Sequence, residues 1–410
     1  MVVHHDCRHL WHNFMNKYKT SSTDDIASRK HAKSPYFGLF RLFSTPASKP
    51  RYTALVHTLK RSAPRTYHAL LNGLEKLRNE RGVFIAADSH DYNACWIRDQ
   101  LYSTFAYYYL GETKKFSDGI HVVFDIFAHS KDKLERGACA TPTVAHEYIH
   151  AKYHPETFDE ITNDWGHHQI DAIGLFLYMV AFADQNGIPV TRSSEDREIL
   201  QLLVSYLTNV EYWKTPDNGM WEECLDLHAS SIGAAIKGLC SIKEAELAFV
   251  PNELIHRGEE ALANLLPNES PDREVDMAQL SLIWPYNLLS EKTADIILGR
   301  VEEQLVRNNG LQRYWNDNYY RSDNGISAEW TMGFFWMSII MSKRGRTIEA
   351  HDWFTRGLAT ITPEGELPEL YQNGKPNKNT PLAWSHSLAL IAAIHLIEKP
   401  LQDTDLIDGK

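Results

Sequence analysis

The chain lacks most of the marks that sort a sequence into a large functional class. No run approaches the roughly 20 consecutive apolar residues of a membrane-spanning helix, so no membrane span is expected. There is no glycine-rich phosphate loop and no G-x-S-x-G, so nucleotide-binding and serine-hydrolase readings have no support. Cysteine is scarce: five residues, an odd number, scattered and without a C-x-x-C pair. That excludes a disulfide framework and fits reduced thiols in a cytosol-like compartment. The first residues, MVVHHDCRHLWHNF, lack a basic segment followed by an apolar one, so no secretory signal is expected and the location is read as cytoplasmic. Net positive charge is missing too. The total is −11, which disfavours nucleic acid as a partner. The exception is residues 1–51, where nine Lys/Arg face three Asp. With their Ser and Pro, they read as a basic, irregular N-terminal tail.

Tryptophan and helical periodicity are plentiful. The chain has 410 residues and eleven Trp, and no convincing run of alternating strands. Twelve helical segments are expected, over 66–79, 96–111, 113–130, 166–186, 192–210, 228–244, 248–265, 276–287, 291–309, 328–345, 347–359 and 382–397. Pro285 should kink or shorten the eighth. The best extended candidate is Glu147 to Tyr153. Some segments carry one apolar stripe, such as Arg197 to Leu207. Others are apolar nearly all round, such as Asp171 to Phe182, Trp330 to Ile340 and Leu388 to Ile397. A helix apolar on every side must be covered on every side. The two kinds alternate, as an inner ring of six wrapped by an outer ring of six requires. The expected fold is an all-α (α/α)6 barrel, a six-hairpin toroid, over 52–398, with a C-terminal tail over 399–410.

Polar and aromatic residues collect where the inner helices begin. The second segment opens on Tyr92, Trp96, Arg98 and Asp99. The fourth opens on Asp164, Trp165, His167, Gln169 and Asp171. The turn Pro216-Asp217-Asn218-Gly219 delivers Trp221, Glu222 and Glu223 ahead of the sixth. Asp276 and Trp284 belong to the eighth. Arg313, Tyr314, Trp315, Glu329 and Trp330 precede the tenth. Glu369, Tyr371, Trp384 and His386 precede the twelfth. In a barrel these starts meet at one mouth, so stretches 40 to 70 residues apart become one cleft. Indoles there offer flat faces to pyranose rings, and carboxylates and Arg offer charge-assisted hydrogen bonds to hydroxyls. Trp284 and Trp336 read instead as core.

The motifs Trp96-x-Arg98-Asp99, Trp165-Gly-x-x-Gln169-x-Asp171, Trp221-Glu222-Glu223, Arg313-Tyr314, Pro368-Glu369-Leu-Tyr371 and Trp384-Ser385-His386 together resemble the glucoamylase family, glycoside hydrolase family 15. Phosphorylase kinase α/β regulatory subunits are related to it. The resemblance runs from about residue 80 to 397 and implies the same (α/α)6 fold. It implies that Glu222 is the general acid, Glu369 the base, and Glu223 a sugar-binding group. By the same resemblance Arg98, Asp99 and Arg313 grip a terminal glucose, while Tyr92, Trp96 and Trp165 line its pocket. His167 stands where fungal members have Arg, Leu370 where they have Gln, and the segment Asn373 to Thr380 differs in length. These departures bear on substrate preference rather than reaction type.

The residues alone support the same chemistry. Glycosidic cleavage needs a proton for the leaving oxygen, and inversion needs a second carboxylate that activates water from the opposite face. Glu222 and Glu369 arrive on different loops and can face each other across a sugar; adjacent Glu222 and Glu223 cannot. A like charge on Glu223 is expected to help keep Glu222 protonated. Glu366 competes with Glu369 for the base. The primary expectation is an inverting exo-acting α-glucosidase on α-1,4-glucans or maltooligosaccharides. The alternatives are a non-catalytic glucan sensor or regulatory protein, or a hydrolase of trehalose or isomaltose. The intact Glu222 and Glu369, and only twelve residues after Glu398, argue against the regulatory reading. No cofactor and no metal are expected. His146-Glu147-Tyr-Ile-His150 matches H-E-x-x-H, but Pro142 and Pro155 flank it and its residues read as extended, so it lacks the helix a zinc site needs.

Overall fold

A computed structural model describes residues 49–162 and 165–400. Of the tail expected over 1–51, residues 1–48 lie outside the described residues, as do 163–164, Asp164 among them, and 401–410, while 49–51 belong to a helix and correct the tail's end. Five long inner helices are Ile97–Tyr109, Ile170–Gln185, Ala229–Glu244, Thr331–Lys343 and Ala383–Glu398, each buried over nearly its whole circumference. The outer helices are Pro64–Lys76, Thr113–His129, Ser194–Asn209, Asn252–Leu265, Glu291–Gln304 and Thr347–Leu358. Each of these buries a single stripe, as Tyr67, Leu70, Gly73 and Leu74 do in the first.

The sixth inner position corrects the sequence reading. In place of a helix over 276–287 there is a 3₁₀ turn, Met277–Gln279, running into four α-helical residues, Leu280–Ile283. Pro285 has no N–H to continue the ladder. Two helices escape the sequence reading. Lys49–Ser62 packs on Ala383–Glu398, and Lys131–Cys139 packs on Ser194–Asn209. Both are rich in charge, with too few apolar positions to show a clear period. The fourth expected segment also starts late, because Trp165 to Gln169 is irregular rather than helical. Between Glu147 and Tyr153 only Lys152–Tyr153 is a strand, and it pairs antiparallel with Cys95–Trp96. A second small sheet joins Glu329–Trp330 to Leu370–Gln372 and then Lys375–Pro376.

Ring closure is visible in six hydrogen bonds. The residue before each inner element is extended, which leaves the first N–H of the element without an intrahelical acceptor. The loop ahead of the next hairpin supplies one every time. Ile97 N–H donates to Ala151 O (3.0 Å), Ala229 to Glu269 O (2.7 Å), Met277 to Arg313 O (2.7 Å) and Thr331 to Glu369 O (3.0 Å). Ile170 N–H donates to the Asp217 carboxylate (2.9 Å). Ala383 N–H donates back to Ala86 O (3.0 Å), which joins the last hairpin to the first. Leaving one such buried N–H unpaired costs about 1–3 kcal/mol.

The inner helices Ile170–Gln185 and Ala229–Glu244 touch through bare backbone. A Cβ on Gly174 would lie 2.3 Å from the Ala234 carbonyl carbon, and one on Gly238 would lie 2.4 Å from Gly174 O. Gly174→Ala should therefore destabilise the fold by about 1–3 kcal/mol or more, as overpacking does. Helix propensity alone predicts a gain of about 1 kcal/mol. Denaturant unfolding decides the sign.

Candidate active site

A cavity of about 280 Å³ opens at the mouth end of the inner ring. Its wall includes Tyr92, Trp96, Arg98, Asp99, Trp165, Trp221, Glu222, Glu223, Arg313, Trp330, Glu369 and Trp384. Nine of these come from five of the six loops that precede inner elements, and Arg98, Asp99 and Trp384 from the first turns of the helices that two of those loops enter. The sixth supports the wall from behind: Asp276 accepts the Trp221 indole N–H at 2.7 Å and the Arg273 guanidinium at 2.7 Å.

The loop carrying Glu222 is built to hold an unfavourable backbone. Asp217 and Asp226 exchange backbone hydrogen bonds (2.9 and 3.0 Å) and close its base. Asn218 takes the Glu223 N–H on its carbonyl (3.1 Å) and gives its side-chain amide to Glu223 O (2.7 Å). Between these clamps Glu222 sits at φ +62°, a region that costs a non-glycine residue about 1–3 kcal/mol. Gly166 accommodates the result, since a Cβ there would lie 2.6 Å from Glu222 O. The Glu222 carboxylate accepts from Arg98 Nη2 (3.0 Å) and from the Trp165 indole N–H.

Arg98 is the hub beneath the acid. Its Nη1 donates to Gln169 Oε1 (2.9 Å) and Asp171 Oδ2 (3.1 Å). Burial works against its charge, but Asp171, Glu222 and Asp99 outweigh burial and hold the guanidinium protonated. Gln169 and Asp171 are thus buried supports of Arg98 rather than wall residues. Asp99 itself is pushed up to about 7, first by burial, against the pull of Arg98, with the charges of Glu222 and Glu369 adding to the rise.

Glu369 lies on the strand Leu370–Gln372 side of the mouth and is almost wholly buried. It accepts from Tyr92 Oη (2.9 Å), Asn377 Nδ2 (2.7 Å) and Asn379 Nδ2 (2.8 Å). Burial pushes its carboxyl above the ordinary range, and those three donors and Arg313 oppose the rise without cancelling it. Glu366 is elsewhere, paired with Lys76 at 3.0 Å and absent from the cavity wall.

The place of Glu223 withdraws one expectation. Its carboxylate is taken by Arg313 (2.8 Å), Arg273 (3.4 Å) and the Tyr314 hydroxyl (2.8 and 2.9 Å). A charge so compensated is a weak source of repulsion on Glu222. Arg313 is itself clamped by Asp317 through two 2.7 Å bonds and lies 4.4 Å from the Trp330 ring centre. Two other expected wall residues are not at the wall. Tyr371 stacks on Phe334 (6.0 Å, 12°) behind it. His167 stacks on His150 (4.5 Å, 4°) and bonds Ala145 O (2.7 Å). That stack uses the second His of H-E-x-x-H. Its Glu147 ends a 3₁₀ turn and accepts the Thr143 N–H (2.6 Å), so the three residues share no helix face. Among the described residues no cluster of His, Cys, Asp and Glu could hold a metal.

Several residues here had no signal in the sequence. Tyr319 lines the cavity from an irregular loop, with its hydroxyl 3.3 Å from that of Tyr92. Asn377 and Asn379 lie in the segment of divergent length. Lys152 lies opposite Trp96 in the strand pair, its ammonium 4.5 Å from the Trp96 ring and 5.3 Å from that of Trp165.

Fold and cavity together define the class: an (α/α)6 barrel with an acidic, tryptophan-walled pocket at its mouth. The profile of the glycosyl hydrolases family 15 matches residues 66–321, and the chain belongs to that family. Among curated proteins it is 28% identical over 345 residues to the phosphorylase b kinase regulatory subunit alpha, skeletal muscle isoform, of Oryctolagus cuniculus. It is 26% identical over 346 residues to the liver isoform of Mus musculus. Each match covers 69% of this chain but only 27% of the relative. A glycosidase variant solved in complex with glucose superposes with a TM-score of 0.71 at 18% identity, covering 83% of this chain and 98% of that one. A glucoamylase from Saccharomycopsis fibuligera gives 0.59 at 14% identity, covering 91% and 99%. At such identities the likeness speaks for the fold. Among the described residues no helix is long and apolar enough to cross a membrane.

The loop carrying Glu222 rests on a buried pair of charged side chains. His228 packs against Gly219, where a Cβ would meet its ring at 2.7 Å, and its Nδ1 lies 3.5 Å from Glu269 Oε1. Burial alone would lower His228, but the hydrogen bond and charge of Glu269, with Asp217 and Asp276, hold it up at about 9. The folded state therefore binds this proton more tightly than the unfolded chain. Its stabilisation is complete below pH 6.5 and disappears as pH rises through about 9. The Tm of the wild type should fall over that window, and His228→Gln should flatten the slope.

Proposed function

We propose that the protein is an inverting, exo-acting α-glucosidase of glucoamylase type that removes terminal α-1,4-linked glucose from glucans or maltooligosaccharides. The observation that carries this reading is that Glu222 and Glu369, 147 positions apart in the chain, line one cavity walled by indoles. Glu222 donates its proton to the glycosidic oxygen. Glu369 takes a proton from a water that attacks the anomeric carbon from the opposite face. Trp96, Trp165, Trp221, Trp330 and Trp384 exclude bulk water, which strengthens every charge acting on the developing oxocarbenium ion. Arg98, Asp99, Glu223 and Arg313 supply donors and acceptors for the sugar hydroxyls. Gln169 and Asp171 act through Arg98, and no metal or organic cofactor is needed for this chemistry.

A base must be ionised to work, and Glu369 is set by its surroundings to ionise later than an ordinary carboxyl. Its Asn donors favour the ionised form.

A second reading is favoured by the regulatory subunits among the relatives: a glucan-binding protein without turnover. Maltose binding with no glucose released would select it.

Glu222→Gln and Glu369→Gln should each lower kcat about 10³-fold, read as glucose released from maltoheptaose. Full activity in either variant removes that residue from its role. NMR of the first product should show β-glucose; α-glucose excludes inversion. The acidic limb of kcat/KM should lie above the usual carboxylate range. Asn379→Ala should move that limb to still higher pH.

A further inference from the structure

We propose that sugar binding itself loads the proton onto Glu222, by taking over the Arg98 hydrogen bond that the carboxylate holds in the free protein. This rests on the reading of the cavity as a sugar site, and it holds whether or not turnover follows.

The conflict is geometric. A general acid must carry a proton, yet in the free protein the Glu222 carboxylate forms an ion pair with Arg98 (3.0 Å), with the Arg98 and Glu222 side chains only 3% and 9% exposed. Arg98 is shared rather than committed. Its Nη1 is anchored on Gln169 and Asp171 by the bonds already described, while its Nη2 has Glu222 as its partner. Asp171 lies in the first turn of the Ile170–Gln185 helix, so the anchored half has a fixed counter-charge. A sugar hydroxyl seated against Trp96 and Trp384 would take over Nη2 and leave Asp171 in place.

Glu222 would then have lost its hydrogen bond to the guanidinium, and its water, inside an indole-walled cavity, with the Arg98 charge still balanced by Asp171. The groups that still face it are few. From the Ile97–Tyr109 helix comes Asp99, an acid. From the loop before that helix comes the Tyr92 hydroxyl, which also holds Glu369. From the Lys152–Tyr153 strand comes Lys152, whose ammonium is engaged with the faces of Trp96 and Trp165. The Trp165 indole N–H remains a donor. Glu223 is tied to Arg313 and Arg273. With water displaced and a second acid nearby, the carboxylate lowers its energy by taking one proton from solvent. The neutral acid then donates to the glycosidic oxygen, so the reactive form exists only with sugar in place.

Linkage gives a measurable sign. A binding event that takes up a proton strengthens as pH falls, by at most about tenfold in Kd per pH unit for one proton. Asp99 provides the contrast, because a sugar hydroxyl that favours its ionised form would make binding release a proton. The test is calorimetric titration of maltose, which has no ionisable group of its own, into Glu369→Gln, which should not turn over, at pH 7 in phosphate and in Tris. The two buffers differ in ionisation heat, so the difference counts protons. Net uptake that persists with Asp99→Asn added and vanishes with Glu222→Gln added supports the proposal. No uptake in either Glu369→Gln or its Asp99→Asn form, or uptake that survives Glu222→Gln, overturns it. Absence of any binding heat with acarbose, maltose and glucose in the wild type overturns the sugar-site reading and this proposal together. Binding with proton uptake but without hydrolysis by the wild type overturns only the hydrolase reading.

Discussion

Six backbone N–H groups at the starts of six inner elements hold this molecule in register. Each would be orphaned by the extended residue before it, and each finds its acceptor on the loop of the neighbouring hairpin. The set runs in chain order from Ile97 to Ala383 and returns to Ala86. Because every bond lies at the mouth, the same loops that close the ring also carry the wall of the cavity. Glu369 shows the double duty most plainly: its carbonyl caps Thr331 while its carboxylate faces the pocket. Asp217 does the same for the acid loop, capping Ile170 with a side chain whose own backbone closes the Glu222 turn.

Electrostatics inside the pocket follow from two arginines with unequal commitments. Arg313 is bound on both sides, by Asp317 and by Glu223, and packs against Trp330; it is a fixed part of the wall. Arg98 is anchored on one nitrogen and shared on the other. The asymmetry separates a charge tied on both sides from one whose second nitrogen is held by Glu222 alone. The strained backbone at Glu222 belongs to the same economy, since a left-handed residue clamped by Asn218 and Gly166 aims its side chain in one direction and offers no easy relaxation.

Much of this was legible in residue order. The alternation between all-round apolar and one-sided segments required two concentric layers, because a helix such as Thr331–Lys343 has no face to show water. Tryptophans at the starts of successive inner segments pointed to one mouth. What stayed hidden depends on contacts that no local pattern encodes. Lys131–Cys139 is held by Leu134 and by the space Gly137 leaves for Tyr206, not by a long apolar stripe. Tyr371 reads like a pocket aromatic because residues two apart on a strand share a face, but Glu369 lies just before the strand Leu370–Gln372, and Tyr371 packs on Phe334 behind the wall. The charge on Glu223 looked available to Glu222 because they are neighbours in the chain, whereas arginines 50 and 90 positions downstream claim it.

The bond from Ala383 to Ala86 has a topological consequence. A barrel whose last hairpin is latched to its first is a cycle with one covalent gap, and the helices on either side of that gap, Lys49–Ser62 and Ala383–Glu398, lie against each other. Mechanical load or proteolysis at any one loop would open the circle at that point while five latches still hold. Such an architecture concentrates cooperativity around its circumference rather than along the polypeptide, and it permits any of the six seams to serve as the place where the chain begins.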